Sequence, residues 1–433
     1  MITARYVREH LTLIKESMAR RHSDYPIEEL LDLDEKCRKI GTELQGLRAS
    51  RNAGSLRVSE LKKGGKDAKN EIDELAKIKE RIDGHEKALP QYQDRLTTLL
   101  MNMPNTLHES VPYGKDTSQN VEVRRWGTPS KKKVESHADL LKGLGLLDLE
   151  KAAAVSGARF YYLKGDLVLL EQALIRFTID VMLKKGFTLI APPLMIKKKY
   201  YQGATALGDF EEALYKVSEP GEAQANGELE KLDDELFMIS TSEHAIAAML
   251  SETVYSPKEL PLRYLGISPN FRREAGAHGK DSKGIFRVHQ FYKVEQFVLA
   301  KPEDSWAIFD ELIGNAEEIF KALKLPYRIV NICTGDIGTV AAKKYDLEVY
   351  MPSSGEYREL VSCSNCTDWQ SLRLDIKYDE HGERKYAHTL NSTASGSIER
   401  LIVAISENYQ NDDGSITIPD VLVSYMGGKR KLG

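Results

Sequence analysis

A chain of 433 residues with 61 Lys and Arg against 65 Asp and Glu carries a formal charge of −4, which excludes a globally basic nucleic-acid binder, so any affinity for RNA must come from a local surface. That length accommodates one large catalytic domain plus an accessory one, and its four cysteines, Cys37, Cys333, Cys363 and Cys366, are too few for a disulfide framework. No stretch approaches the ~20 apolar residues of a membrane span, and MITARYVREH at the start lacks the apolar run of a signal sequence; a cytoplasmic protein with no membrane partner is expected.

From about Pro26 apolar residues recur at Leu30, Leu33, Cys37, Ile40, Leu44 and Leu47 in the three-four alternation of a coiled-coil seam. The register continues through Arg51 and Gly54 to Val58 and Leu61, weakening toward a break at Lys62-Lys63-Gly64-Gly65-Lys66-Asp67. A second seam, Ile72, Leu75, Ile82, Leu89, Tyr92, Leu96 and Leu99, predicts a returning helix packed antiparallel on the first, each about 50 Å long. Gly84 and Pro90 are expected to interrupt the return with a kink. Spacing alone fits a dimerising hairpin equally well. Charge favours RNA: Arg38, Lys39, Arg48, Arg51, Arg57, Lys62, Lys63, Lys66 and Lys69 face only Glu43, Glu60 and Asp67 between residues 38 and 70, and long basic side chains on a rod suit phosphate contacts that read shape.

Pro104 and Pro112 mark the exit from this arm. From about residue 121 the pattern mixes VEVRRW, a long helix near Leu167 to Lys185 and many short strand-like runs, which reads as α+β. Ser218 to Glu235 is polar, acidic and turn-rich, the composition of a surface insertion. The most informative stretch is FRREAGAHGKDSKGIFRVHQFYKVEQF, ending at Phe297: strand, Gly- and Lys-rich loop, strand. Arg272 and Arg287 would project from the paired strands around a bound phosphate, with Gly276, Gly279 and Gly284 freeing the loop.

FRREAG followed by GIFRVHQFYKVEQF resembles motif 2 of the class II aminoacyl-tRNA synthetases in its seryl version. The likeness extends to Thr241-Ser242-Glu243, to YRELVSCSNCTDWQ from Tyr357, to TLNST from Thr389, to Arg400 before LIVAISENYQ as motif 3, and to KKGFTLIAPPL from Lys184 as the dimer-forming motif 1. The arm and MPNTLHESVPYGKD from Met103 share it, so it covers nearly the whole chain. The resemblance implies an α+β protein: an antiparallel α-helical coiled-coil arm in a tRNA-binding domain (1–110), then a catalytic domain (111–433) with an antiparallel β-sheet flanked by helices. It implies a homodimer that activates L-serine with ATP and Mg²⁺ and transfers it to tRNA(Ser), gripped by its elbow and long variable arm; whether tRNA(Sec) is also charged is left open.

Carried over residue by residue, the resemblance gives Arg272 the α-phosphate and reacting carboxylate, Glu274 the adenine amino group, Phe291 the adenine ring and Arg400 the γ-phosphate. Arg272, Glu274 and Arg400 are thus the expected catalytic residues. Arg273, Val288, Leu360 and Val361 complete the expected ATP site, and Glu359 and Ser362 the metal site. Thr241 and Glu243 would receive the serine amino group, with Ser242 in the same serine site and Glu295, Asn391 and Thr393 around its hydroxyl. A buried carboxylate built to accept that hydroxyl is left unpaired by alanine. On the arm, Arg48, Arg51, Lys62 and Lys66 would meet tRNA phosphates.

One departure stands out: NSTASGSIER, from Asn391 to Arg400, is one residue longer than the family spacing, so either a bulge absorbs it or Arg400 is displaced. Cys363-x-x-Cys366 with His381 and His388 has the wrong gaps for a zinc finger and lacks the βαβ setting of a redox pair. In Gly276-Ala-His-Gly279-Lys280 the first glycine is too near, and Asp281 stands where a Walker loop needs Ser or Thr. His278 and His289 read as structural.

Overall fold

The two apolar seams fold as two long helices, α1 (Ile27–Lys63) and α2 (Lys69–Asn102). The structure, a computed structural model, describes residues 3–206, 213–218, 235–274 and 283–433. Two units divide the chain: Ser23–Met103 with the segment up to Ala19 form one, and Arg20–His22 with Pro104–Gly433 form the other.

In the first unit Glu28 and Glu29 sit in the first turn of α1 and Lys62 and Lys63 in its last, charges that complement the helix dipole. Gly64 and Gly65 turn the chain, with Gly65 at φ +68, a left-handed conformation suited to glycine. Arg95 bonds Glu29, Arg48 bonds Glu86, and Leu44 and Leu47 pack with Ile82; partners late in one helix meet residues early in the other, so the pair is antiparallel. Toward the turn Val58, Leu61 and Leu75 are only half-buried and Ile72 is exposed, the weakening read from the sequence. At Gly54 an added Cβ would come within 2.9 Å of Leu75, so the missing side chain is the space that Leu75 fills. The returning helix is not broken at Gly84 or Pro90. α2 is one helix through Gly84 and Pro90, with Ile82 and Leu99 buried on either side to hold the turns that proline weakens.

The second unit is built on eight strands: β1 (Val121–Trp126), β2 (Thr188–Ile190), β3 (Leu262–Phe271), β4 (Gln290–Ala300), β5 (Tyr327–Asn331), β6 (Lys343–Met351), β7 (Glu356–Asn365) and β8 (His388–Ser397), in spatial order β1-β5-β6-β7-β8-β4-β3-β2. Every neighbouring pair is antiparallel except β2 on β3. Helices α3 (Asp166–Leu183), α4 (Ser242–Met249), α5 (Ser305–Ala322) and α6 (Ile398–Asn408) accompany it. Leu170 and Leu174 of α3, Phe309 and Leu312 of α5 and Leu401 and Ile402 of α6 share one core with Val294, Val298, Val361 and Leu390 of the sheet. The α+β class and the antiparallel, helix-flanked sheet agree with the sequence reading.

Two irregularities shape the middle of the sheet. Leu347 pairs with Val361 but Glu348 with Glu359, leaving Leu360 as a bulge on β7. Lys293 pairs with Ser397 and Glu295 with Thr393, so Ala394, Ser395 and Gly396 of β8 stand opposite the single Val294. Gly396 has φ +88, and a Cβ there would lie 3.0 Å from the Leu360 carbonyl oxygen. The stretch before Arg400 thus contains a bulge, and α6 begins with Ser397 as its N-cap. Most of the segment from Ser218 to Glu235, and Gly276, His278, Gly279, Lys280 and Asp281 of the motif 2 loop, lie outside the described residues.

Candidate active site

Side chains alternate across a strand with period two, and that alternation assembles the site. Phe291, Lys293 and Glu295 of β4, Asn391 and Thr393 of β8, and Ser362 and Ser364 of β7 all face one cavity of about 670 Å³. On the opposite face Gln296 receives the Asn315 amide of α5 at 2.9 Å.

Arg272 follows the last residue of β3. Its guanidinium lies 5.2 Å from the centre of the Phe291 ring, and its Nε donates to the Ser240 carbonyl at 3.3 Å. Arg400 donates to the carbonyl oxygens of Glu359 at 2.9 Å and Phe286 at 3.2 Å, and its Nη1 lies 3.6 Å from the Glu359 carboxylate. Glu359 thus presents its carboxylate to the cavity, where burial pushes it up but the charges of Arg400, Lys344, Arg272 and Lys293 hold it below the ordinary value. Arg287 bonds the Glu274 carboxylate at 2.6 Å, and Glu274 itself adopts φ +48, an uncommon conformation for a non-glycine residue.

Glu295 and Glu243 form a second pair of carboxylates on the lining of the cavity. Glu295, 1% exposed, is 2.6 Å from Lys293 and accepts the Thr393 hydroxyl at 3.2 Å. Glu243, in the first turn of α4 behind its cap Thr241, accepts from the amides of Gln370 at 2.8 Å and Asn391 at 3.0 Å. Burial raises Glu243 to about 7, with the charge of Glu295 adding to the rise against the Gln370 hydrogen bond, Lys293 and Arg272. The ring of His244 is pushed down to about 3, by burial first and then by Arg272 and Lys293, and is neutral at physiological pH.

Of the predicted positions, Thr241, Glu243, Arg272, Glu274, Val288, Phe291, Glu295, Glu359, Leu360, Ser362, Asn391, Thr393 and Arg400 line this cavity. Three do not. Ser242 is buried against Gly266 of β3; Val361 points into the core because alternation gives the cavity face to Ser362; Arg273 is exposed beside Arg272, its amide bonded to the Ala213 carbonyl. Sequence reasoning missed Lys293 and Gln370. Lys293 stood two residues before Glu295, so strand alternation could have found it; Gln370 is brought to Glu243 only by tertiary structure. His289 donates from Nδ1 to the Arg272 carbonyl at 2.7 Å, and His388 bonds Ser305 at 2.8 Å; both are engaged in the scaffold. Cys363 and Cys366 are buried and unbridged.

One cavity thus brings together two arginines, Arg272 and Arg400, and two carboxylates, Glu243 and Glu295, the latter paired with Lys293. Guanidinium groups so placed suit phosphates, and buried carboxylates suit an ammonium and a hydroxyl.

Known proteins match this arrangement. The family "Seryl-tRNA synthetase N-terminal domain" matches residues 1–107, and "tRNA synthetase class II core domain (G, H, P, S and T)" matches residues 215–409. The serine–tRNA ligase of Methanoregula boonei is 47% identical over the full length of both chains, and that of Thermococcus sibiricus is 45% identical, covering all of this chain and 98% of its own. Among solved structures, the seryl-tRNA synthetase of Pyrococcus horikoshii complexed with ATP has a TM-score of 0.90 at 41% identity, covering 100% of this chain and 99% of the other. The cytoplasmic enzyme of Naegleria fowleri in complex with AMP gives 0.83 at 37%, covering 97% and 95%. With full-length identity at this level and a fold superposing throughout, the chain belongs to the seryl-tRNA synthetase family, ATP-dependent class II aminoacyl-tRNA synthetases that ligate serine to tRNA.

Proposed function

We propose that the described cavity is where L-serine is activated by ATP and then passed to tRNA(Ser), with ATP along Arg272, Phe291 and Arg400 and serine by Glu243 and Glu295. Activation needs the serine carboxylate to attack the α-phosphorus in line and displace pyrophosphate, so the chain's task is to position reactants and offset charge. Arg272 binds α-phosphate and serine carboxylate together. Phe291 stacks the adenine, Glu274 accepts from its amino group while Arg287 holds the carboxylate in place, and Arg400 binds the γ-phosphate. Glu243, with Thr241, receives the ammonium; Glu295, Thr393 and Asn391 surround the hydroxyl. The observation that carries this reading is that one cavity is lined both by Arg272, Phe291 and Arg400 and by Glu243, Glu295, Asn391 and Thr393, with Lys293 2.6 Å from Glu295.

Mg²⁺ fits the same wall. Glu359 and Ser362 turn hard oxygen donors into the cavity, and among the described residues no cluster of three or more His, Cys, Asp or Glu could hold a metal. Two protein oxygens completed by substrate phosphates are what Mg²⁺ favours. Bound there it would neutralise phosphate charge.

The basic arm is proposed to grip the long variable stem of tRNA(Ser), as a tRNA-binding domain (1–110) joined to the catalytic one (111–433). A homodimer through motif 1 is supported by apolar side chains exposed around it, Val168, Leu169 and Leu183 of α3 and Leu189 of the edge strand β2. No helix among the described residues is long and apolar enough to cross a membrane, and the unbridged cysteines suit a reducing cytoplasm. The test is serine-dependent exchange of pyrophosphate into ATP, with KM for each substrate measured separately. Glu295→Ala should raise the serine KM and leave the ATP KM near wild type; equal impairment in a folded variant would count against serine beside Glu295.

A further inference from the structure

Residues 338–342, between β5 and β6, form a wall of the cavity through Gly338, Thr339, Val340 and Ala341. They belong to no strand, so their carbonyl groups need partners from elsewhere. All five carbonyls find donors in three residues. Arg21 donates from Nη1 to Gly338 and from Nη2 to Ala341 at 2.8 Å. Asn105 donates from its backbone amide to Thr339 at 2.9 Å and from Nδ2 to Val340 at 2.9 Å. The His108 amide donates to Ala342 at 3.0 Å.

Arg21 also closes the arrangement on itself, its Nε donating to the Asn105 carbonyl at 2.9 Å. The Asn105 side chain, 2% exposed, donates in addition to the Cys366 carbonyl at 2.8 Å, which ties the loop to the end of β7. From Cys366 the connection reaches the carboxylates: the Asn391 amide lies 3.5 Å from the Cys366 sulfur and donates to Glu243 at 3.0 Å. Neither Arg21 nor Asn105 lines the cavity. Both fall within the stretch matched as the N-terminal domain, residues 1–107, yet Arg20–His22 and Pro104 onward are packed as part of the catalytic unit.

We propose that Arg21 and Asn105 are positioning residues of the active site, a clamp that holds the 338–342 loop and Cys366 and so sets the serine end of the cavity. The proposal rests on the reading that serine sits by Glu243 and Glu295. It makes part of the nominal tRNA-binding domain a component of amino-acid activation. A planar guanidinium suits the task because it reaches three carbonyls in fixed directions, which an ammonium cannot.

The test uses the full-length chain. In Arg21→Met, at a half-buried position, the serine KM in pyrophosphate exchange should rise about tenfold while the ATP KM stays within about twofold. Arg21→Lys, retaining charge without the fork, should fall between. Amide hydrogen exchange should speed up in peptides covering 336–342 and stay unchanged in α5. Unchanged exchange in those peptides, or equal rises in both KM values, overturns the clamp. Glu295→Ala separates the two readings: if it leaves the serine KM unmoved, the serine assignment fails, while faster exchange in Arg21→Met would still establish the clamp itself.

Discussion

In the arm, Leu44 meets Ile82 and Leu75 fills the space left by Gly54, contacts between neighbouring helices of one hairpin that repeat along its length. In the catalytic unit Thr393 bonds Glu295 across 98 positions and Arg400 reaches Phe286 across 114, each contact occurring once. A repeating seam tolerates changes on its exposed face, since the energy lies in the buried stripe. A site assembled from single long-range contacts does not, because every group is held by partners found nowhere else. The two units should therefore fail differently when altered.

The largest effect is expected where the catalytic unit concentrates opposed charges. Arg272→Ala should lower pyrophosphate exchange on the order of a hundredfold or more, as removal of one preorganised charge-stabilising donor does. Exchange within about threefold of wild type would falsify the assignment. Glu295→Ala comes next. Removing a buried charged acceptor beside Lys293 and Thr393 should raise the serine KM by tens of fold, since hydrogen bonds to charged groups are worth about 1.5–3 kcal/mol.

The converse alteration is replacement of residues 30–100 by a short linker, which retains Arg21 and Asn105. Serine-dependent exchange should stay within about threefold of wild type while transfer to tRNA drops about tenfold or more, because the whole set of phosphate-binding side chains on the arm is removed together. Normal aminoacylation by this variant would reduce the arm to a structural hairpin and erase the functional side of the comparison.

The same contrast governs how far each unit is legible in the sequence. The seams of α1 and α2 are legible residue by residue, because a heptad pattern needs no knowledge of anything distant. Sheet order is not, since nothing local tells β1 to lie beside β5 or β8 beside β4. Within the site, the motif matches locate thirteen cavity residues, but they also include Val361, although strand alternation gives that face to Ser362. Ser242 departs likewise, turned under α4 against Gly266. Pro90 is a different case: its local cost is real, yet α2 runs through it from Lys69 to Asn102, with Ile82 and Leu99 buried on either side. The bulge before Arg400 is not legible in the sequence, because it depends on Gly396 meeting Leu360 of another strand.

Acidity sharpens the picture of the catalytic unit further. Burial and Glu295 raise Glu243 to about 7, so Glu243 is protonated and neutral below that pH and negative above it. Only the negative form attracts the serine ammonium. The serine KM should therefore rise roughly tenfold between pH 8 and pH 6, one unit below the midpoint corresponding to about 1.36 kcal/mol, while the ATP KM stays flat. Glu243→Gln should remove the dependence along with much of the affinity. A serine KM independent of pH in wild type would mean that Glu243 is not the ammonium's partner.

The smallest expected effects lie on the arm, and there the four proposed tRNA-binding residues divide. Arg51, Lys62 and Lys66 are exposed and make no ion pair among the described residues. Arg48 is 2.6 Å from Glu86 on the facing helix, with both side chains about half exposed. Pairs of that kind hold little energy, so the bridge does not prevent Arg48 from meeting a phosphate, but the neighbouring carboxylate repels the same phosphate. Removing one phosphate-binding side chain should flatten the dependence of log affinity on log salt by about 0.7 to 0.9. Arg51→Ala should show that full step and weaken tRNA binding a few-fold at low salt, and Arg48→Ala visibly less. Glu86→Gln should act in the opposite sense, tightening tRNA binding while leaving serine activation untouched. If Arg51→Ala leaves the salt dependence of tRNA binding unchanged, the basic face of α1 is a solvated surface, and the arm's grip must be sought in its groove or on α2.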